Sequence, residues 1–298
     1  MRLPVYMLAI DHRWQWEEWC DANSVDRSRI PAVKELAAEA FLESRRRSSA
    51  VQASGALLVD LTYGGTAFAM VQDAGAVVGT PAERAGAFPL EWTDVFEKAL
   101  PGAFVKVLVR HRSDVAAAVV DKQREQLLEL QRWCAAAGKT FVLEVLVAPA
   151  AADAAGDHTK FDATGRPRLL ADYIRASYNV GLVPDFWKIE GMPDREALQL
   201  VDTAIRIVEG PRQLILGKGA GMDAVRIWFS AAAGAATAAG FAIGRTVYFE
   251  PAAQWMLGTI SREVAVTSIA ANYEAVIAAW ASALGLPDHR QPRVGRRP

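Results

Sequence analysis

Three apolar stretches of the sequence each carry one ionisable side chain that could do chemistry. They are Lys106 in "FVKVLVR" (104–110), Glu144 in "FVLEVLV" (141–147) and Lys188 in "FWKIEG" (186–191). Successive side chains of an extended strand point to opposite faces, so each of these groups shares a face with apolar residues. A buried charge is costly unless it is paired or has a task. The pattern therefore marks these three residues as candidates for a reactive site.

Two amines and one carboxylate in a partly dry pocket suit Schiff-base chemistry. A lysine attacks a carbonyl only as the neutral amine, whereas an ordinary lysine has a pKa of about 10.4. Desolvation and a second ammonium nearby both favour the neutral form. A carboxylate can then move the protons that imine formation requires. An ion network that only holds the fold together is the alternative.

An anion-binding site is predicted where two later strands end, in "ILGKG" (215–219) and "IGRT" (243–246). Glycines let the backbone approach a ligand closely, and an arginine binds phosphate in a forked contact. The candidate phosphate-binding residues are Gly217, Lys218, Gly219, Gly244 and Arg245.

Further polar residues lie at or near strand ends, and we predict that they contact substrate. They are Asp11, His12, Arg13, Asp60, His111 and Glu190, of which Glu190 shares a strand face with Lys188. The four histidines (12, 111, 158 and 289) show neither H-x-x-x-H nor H-E-x-x-H spacing. We therefore expect no metal and no cofactor, with a divalent ion between His12 and His111 as the competing hypothesis.

The elements that must position these residues follow one alternating pattern. Apolar runs of strand character alternate with helical patterns, which favours βαβ units and a parallel sheet. The strand candidates are 5–11, 55–61, 74–80, 104–110, 141–147, 186–191, 213–219 and 240–246, and the clearest helical patterns are 32–47, 119–138, 195–210 and 225–240. Glycines at 138, 210 and 240 are predicted to end helices.

Eight strands predict an α/β fold, a single-domain (β/α)8 TIM barrel, over residues 1–284. The third strand is the weakest, since only residues 62–73 separate it from the second, and a doubly wound open sheet is the alternative. Residues 149–168 are predicted to form an irregular loop, either a lid or a surface insertion, and 285–298 a disordered basic tail. Neither a dinucleotide fingerprint nor a Walker A sequence occurs.

Composition narrows the class of protein. Of the 298 residues, 52% are hydrophobic and 22% charged, and the formal net charge is −1. These values indicate a packed enzyme without a nucleic-acid-binding or anionic-membrane surface. Two cysteines, Cys20 and Cys134, without a secretory leader predict reduced thiols and a cytoplasmic location. A phosphorylated small molecule is the expected partner, and homo-oligomers are common among such barrels.

Several segments resemble one barrel family, and they recur in the same order along nearly the whole chain. They are "AIDHRWQ" (9–15), "VDLTYG" (59–64), "VVGTPAERAGAFPLEW" (77–92), "VKVLVRHRSD" (105–114), "LEVLV" (143–147), "GLVPDFWKIEG" (181–191) and "GFAIGRTVYFEPAAQWMLGTIS" (240–261). The family includes the aldolase-like domain fused to 5-dehydro-2-deoxygluconokinase in inositol catabolism. It is related to the class I tagatose-1,6-bisphosphate and sulfofructosephosphate aldolases.

The resemblance implies a metal-independent class I aldolase. Lys188 resembles the Schiff-base lysine of this group. Lys106 resembles its accessory lysine, and Glu144 resembles its proton-shuttling glutamate. Asp11 resembles an aspartate that contacts substrate hydroxyls, and Arg245 with the Gly217–Gly219 turn resembles a phosphate grip.

The substrate implied is 2-deoxy-5-keto-gluconate 6-phosphate, which would give dihydroxyacetone phosphate and malonic semialdehyde. A sulfosugar-phosphate or tagatose-bisphosphate aldolase, an isomerase, or a non-catalytic sugar-phosphate-binding module are the alternatives. Gly191 and Arg112 depart from the family's usual "WWKLEP" and "HPDD"-like segments, and we expect them to alter the rim of the pocket.

Overall fold

The computed structural model describes residues 1–92, 100–150 and 158–286. Eight parallel strands close into a barrel in chain order, so the protein is a (β/α)8 TIM barrel and the open sheet is excluded. The strands are β1 Val5–Ala9, β2 Gly55–Leu58, β3 Val77–Pro81, β4 Phe104–His111, β5 Thr140–Val147, β6 Phe186–Glu190, β7 Arg212–Leu216 and β8 Ala238–Ile243. The third strand is therefore real, although the sequence supported it least.

Helices cover the outside of the barrel. They are α1 Trp14–Ala22, α2 Ile30–Arg47, α3 Ser49–Ser54, α4 Gly65–Asp73, α5 Ala117–Ala136, α6 Arg166–Asn179, α7 Arg195–Ile205, α8 Met222–Ala232, α9 Arg245–Met256 and α10 Arg262–Ala283. Some of these helices begin with a side-chain cap. At the start of α7, for example, Asp194 accepts a hydrogen bond from the Ala197 amide.

Alternation along the strands separates an outer core from an inner one. Val105, Val107 and Val109 of β4 pack outward against the helices. The inner faces of the strands form a smaller apolar cluster that includes Phe104, Val142 and Phe186. Lys106, Glu144 and Lys188 follow these three residues on the same faces, and Glu144 pairs in register with Lys188. The predicted faces are confirmed, and the ionisable residues lie above the apolar floor of the barrel.

The structure corrects several boundaries predicted from the sequence. Residues 158–168 do not belong to an irregular loop: a short helical turn at His158–Lys160 leads through a π-helical turn, Phe161–Gly165, into α6. The other part of that predicted loop, 151–157, and the tail from 287 lie outside the described residues. Helix α7 ends at Ile205 and α8 at Ala232, both earlier than the patterns suggested.

Gly240 does not end a helix as predicted, since it lies within β8. A Cβ at this position would lie 1.9 Å from the carbonyl oxygen of Val5, so β1 and β8 can approach this closely only at a glycine.

Helix α10 is long and apolar enough to cross a membrane by length and composition. In the fold it packs against α2, α8 and α9, and the hydroxyl of Tyr273 donates a hydrogen bond to the Tyr6 carbonyl at 2.6 Å. Its apolar character is therefore used in packing against the barrel.

Candidate active site

A buried ionic cluster occupies the carboxyl-terminal mouth of the barrel, centred on Lys106 of β4. The Lys106 ammonium lies 2.6 Å from Glu83, 2.8 Å from Asp11 and 3.4 Å from Glu144. All four side chains are at least nine-tenths buried. Strands β4 and β5 supply Lys106 and Glu144, Asp11 follows the end of β1, and Glu83 follows the end of β3.

Lys188 of β6 lies next to this cluster and, among the described residues, pairs with one carboxylate. Its ammonium donates a hydrogen bond to Glu144 at 2.8 Å. Glu144 thus lies between the two lysines and is closer to Lys188 than to Lys106. The three strand residues predicted to converge do so, and both lysines are almost fully buried.

Burial and charge act in opposite directions on the cluster. Burial alone would raise the pKa of Asp11, but the ammonium groups of Lys106 and Lys188 outweigh it and hold that pKa well below its usual range. Burial alone would lower the pKa of Lys106, but Asp11, Glu83 and Glu144 outweigh it and raise that pKa. Lys106 is therefore a fixed cation beside the amine of Lys188, and Asp11 a fixed anion.

His12 is held as a neutral imidazole at the wall of the cavity. Burial lowers its pKa to about 3, and the nearby cations Arg245, Lys34 and Lys188 add to this effect. Its Nδ1 lies 3.2 Å from the Tyr248 hydroxyl, which accepts a hydrogen bond from the indole of Trp16 at 3.0 Å. This chain lets Tyr248 donate to Nδ1 and leaves the proton of the neutral ring on Nε2.

The residues predicted to bind an anion come together at the ends of β7 and β8. The turn 217–219 and the first residue of α9, Arg245, line the cavity, and the Arg245 guanidinium donates to the Lys218 carbonyl at 3.0 Å. A Cβ on Gly244 would lie 1.8 Å from the Ala9 carbonyl oxygen, so β8 ends against β1 only with glycine there. Helices α8 and α9 both begin at this point, which favours an anion.

Glu190, at the end of β6, contacts the turn that carries Lys218 and is not among the residues of the cavity wall. Its carboxylate accepts a hydrogen bond from Lys218 at 2.6 Å and from the Val147 amide at 3.0 Å, and it pairs with Arg166 of α6 at 3.2 Å. It therefore lies beneath the turn that carries Lys218, not in contact with the cavity space.

Two more residues that were predicted to contact substrate are not part of the cavity wall in the described part of the chain. Asp60 is fully buried and pairs with Lys34 of α2 at 2.9 Å. His111 packs against the ring of Tyr173, with the centroids 5.0 Å apart. The remaining candidates line one cavity; they are Asp11, His12, Arg13, Lys106, Glu144, Lys188, Gly217, Lys218, Gly219, Gly244 and Arg245.

Neither departure from the family pattern lies at the rim as expected. A Cβ on Gly191 would lie 2.2 Å from the ring of Trp228, so this glycine makes room for an α8 side chain. Arg112 pairs with Asp114 at 2.8 Å, and both side chains are about half exposed. Within the described part of the chain, neither residue belongs to the cavity wall.

Sequence reasoning missed Glu83, Arg84 and Arg110 as residues of the site. All three line the cavity. Arg110 shares the inner face of β4 with Lys106, so its alternation could have identified it. Glu83 and Arg84 lie in "TPAERAG", a non-periodic segment whose path the sequence does not reveal.

Among the described residues, no group of three His, Cys, Asp or Glu side chains is arranged to hold a metal ion. In particular, His12 faces Tyr248 and His111 faces Tyr173. The cysteines Cys20 and Cys134 are both buried thiols.

Comparisons with known proteins agree with this architecture. Residues 3–284 match the model of the family described as "Uncharacterized protein conserved in bacteria (DUF2090)". The chain belongs to this family. No curated protein matches the sequence.

Solved structures share the fold at low sequence identity. Fructose-bisphosphate aldolase from Plasmodium falciparum is 14% identical, with 92% of this chain and 91% of that chain covered and a TM-score of 0.61. Cgl0159 from Corynebacterium glutamicum is also 14% identical, with 91% and 86% covered and a TM-score of 0.54. At this identity the likeness shows the barrel fold alone, because one fold hosts many chemistries.

Proposed function

We propose that this protein is a class I aldolase that cleaves a phosphorylated keto sugar or sugar acid through a Schiff base on Lys188. One observation carries the proposal: the buried Lys188 amine donates to Glu144 at 2.8 Å, beside a second buried lysine, Lys106. Transfer of the Lys188 proton to Glu144 gives, in one step, a neutral nucleophile and a carboxylic acid.

The reaction then uses groups that the site already holds. The Lys188 amine attacks the ketone carbon, and proton transfers leave a neutral carbinolamine; Glu144 protonates its hydroxyl, and water leaves to give an iminium. The iminium accepts the electron pair when the neighbouring carbon–carbon bond breaks, while the hydroxyl of the departing carbon gives its proton to Glu144. An aldehyde leaves. Protonation of the enamine carbon and hydrolysis release the ketone product and Lys188.

The charges around the cavity support a substrate with an anionic group at each end. Its wall carries seven basic side chains and three carboxylates: Arg13, Arg84, Lys106, Arg110, Lys188, Lys218 and Arg245, with Asp11, Glu83 and Glu144. Arg84 follows β3 and Arg110 belongs to β4, whereas Lys218 and Arg245 follow β7 and β8. In a closed barrel of eight strands these two groups face each other across the mouth.

This arrangement fits 2-deoxy-5-keto-gluconate 6-phosphate, with its phosphate at Arg245 and its carboxylate towards Arg110. Cleavage would give dihydroxyacetone phosphate and malonic semialdehyde, without metal or cofactor. A ketose bisphosphate or a sulfosugar phosphate also carries two anionic ends, and belongs in the same substrate screen. A non-catalytic sugar-phosphate-binding module would bind such ligands but leave every lysine unmodified.

Borohydride reduction in the presence of dihydroxyacetone phosphate tests the proposal. We expect a stable adduct that peptide mass spectrometry locates on Lys188 and that is lost in Lys188→Met. Lys122→Met, which removes an exposed lysine of α5, is the matched control and should keep the adduct. If the wild-type protein binds the ligand but no lysine is trapped, the aldolase proposal is wrong.

A further inference from the structure

Glu83 is a buried carboxylate for which the mechanism above has no use. It is 4% exposed and is the nearest anion to Lys106, at 2.6 Å. Its second oxygen accepts a hydrogen bond from the Leu108 amide at 3.2 Å. Arg13 donates to both the carboxylate (3.4 Å) and the backbone carbonyl (3.1 Å) of Glu83. These contacts leave the carboxylate little freedom to move.

The distances divide the carboxylates between the two lysines. Lys106 is close to Glu83 and Asp11, and its distance to Glu144 is longer, 3.4 Å. Lys188 has Glu144 at 2.8 Å. Since an ammonium moves towards the anions that surround it, Lys106 would lie closer to Glu144 if Glu83 carried no charge.

We propose that Glu83 is a positioning residue that holds Lys106 away from Glu144 and so reserves Glu144 for proton exchange with Lys188. The role of Glu144 as proton carrier rests on the proposed function; the division of ion pairs does not. Glu83 is tied to both Lys106 and Arg13, so it also joins the segment after β3 to the ends of β1 and β4.

The charged and titratable groups around Glu83 decide in which direction the loss of its charge changes proton binding at the site. Arg13 and Lys106 contact it directly, Asp11, His12, Glu144 and Lys188 line the same cavity, and its neighbour Arg84 pairs outward with Glu91. Removal of one negative charge from this set makes every member bind its proton less tightly. Lys106 would also take a larger share of Glu144, so Lys188 should lose its proton at a lower pH.

The variant Glu83→Gln should therefore show an uncommon combination of effects. The pH profile of Lys188 acetylation by trace acetic anhydride, followed at the Lys188 peptide, should move to lower pH by about one unit or more. Cleavage should nevertheless slow by about tenfold or more in kcat, with a small change in KM, because Glu144 is diverted to Lys106. A residue that only stabilises the fold would lower the melting temperature and leave the acetylation profile in place.

Asp202→Asn is the matched control, because Asp202 is 1% exposed and its carboxylate bonds Gln213 and Thr237 at the opposite end of the barrel. Its Lys188 profile should equal that of the wild type. An unchanged Lys188 profile in folded Glu83→Gln overturns the proposal. If Glu83→Gln does not fold, Glu83→Asp decides: its shorter side chain withdraws the charge from Lys106, so a smaller shift in the same direction is expected and no shift overturns the proposal.

Acetylation needs no substrate, so this test is independent of the aldolase reaction. A shifted profile in a protein that never traps dihydroxyacetone phosphate would support the role of Glu83 in ion pairing and reject the proposed function. Trapping by the wild type together with an unshifted profile in Glu83→Gln would support the proposed function and reject the role of Glu83.

Discussion

At the scale of single residues, the proposed function divides the site into a catalytic half and a binding half. Lys106, Glu144 and Lys188 stand on the inner faces of β4, β5 and β6, whereas Arg245 and the turn before α8 lie between β7 and β8. The ionic cluster has strong pairs of opposite charge, but the guanidinium of Arg245 is bonded only to a neutral carbonyl in the described structure. It therefore remains available to bind an anion.

Arg245→Ala should weaken binding of the phosphorylated substrate and leave the chemistry largely intact. A charge-assisted forked contact accounts for an expected rise in KM of about ten- to a hundredfold, with kcat changed by less than about threefold. Steady-state kinetics on phosphorylated and unphosphorylated substrate would measure this, since only the first should be affected. Arg226→Ala, which removes an exposed arginine of α8, is the control. A large fall in kcat with constant KM would contradict a phosphate-binding role.

At the scale of elements, helix α2 reaches over β1 and β2 to fix the end of the first strand. Lys34 donates hydrogen bonds to the carbonyls of Ile10 and His12, on either side of Asp11, and pairs with Asp60 of the β2 end. Both members of this ion pair are fully buried. Asp60 thus supports the strand end that carries Asp11, a structural role that differs from the predicted contact with substrate.

Lys34→Met should destabilise the protein by about 3–5 kcal/mol, because it leaves Asp60 buried without its cation. The double variant Lys34→Met/Asp60→Asn should recover much of that loss, since asparagine can still accept the hydrogen bond from the Tyr63 amide. Arg27→Met breaks an exposed pair with Asp21 and should change the stability far less, because solvent screens that pair. Urea unfolding curves give all three values, and equal losses for the buried and exposed pairs would refute this account.

What the sequence could and could not predict also follows from the elements. The barrel and its inner faces are predictable because strands repeat with a period of two, and this period alone puts Lys106, Glu144 and Lys188 on inner faces. Glu83 is not predictable, since it follows β3 in a segment without periodicity. The ion-pair partner of Asp60 is not predictable either. Asp60 follows β2 and Lys34 lies in α2, and only tertiary packing brings the two side chains together.

Gly191 is a residue that the sequence singled out but whose structural reason the sequence could not supply. Its departure from the family pattern suggested a change in the pocket, but the reason lies in Trp228 of α8, whose ring fills the space that a side chain would need. A sequence shows that a position has changed; the neighbour that requires the change is a property of packing.

At the scale of the whole molecule, the buried imidazole of His12 makes stability depend on pH. Folded His12 has a pKa of about 3, lowered chiefly by burial, whereas an imidazole in the unfolded chain titrates near 6.5. Between these values the unfolded state binds a proton that the folded state does not. The free energy of unfolding should therefore be at its full value above about pH 6.5 and fall as the pH drops towards 3.

His12→Gln should remove this part of the acid sensitivity. From pH 7 to pH 5 the wild type should lose about 2 kcal/mol through His12, which follows from 1.5 pH units below the unfolded pKa. The low pKa of Asp11 keeps its stabilising charge in place throughout this interval. Urea unfolding at pH 7 and pH 5 for both proteins gives the difference directly. Equal losses in the two proteins would mean that His12 is not held neutral, and the hydrogen bond from Tyr248 to its Nδ1 would have to be reassigned.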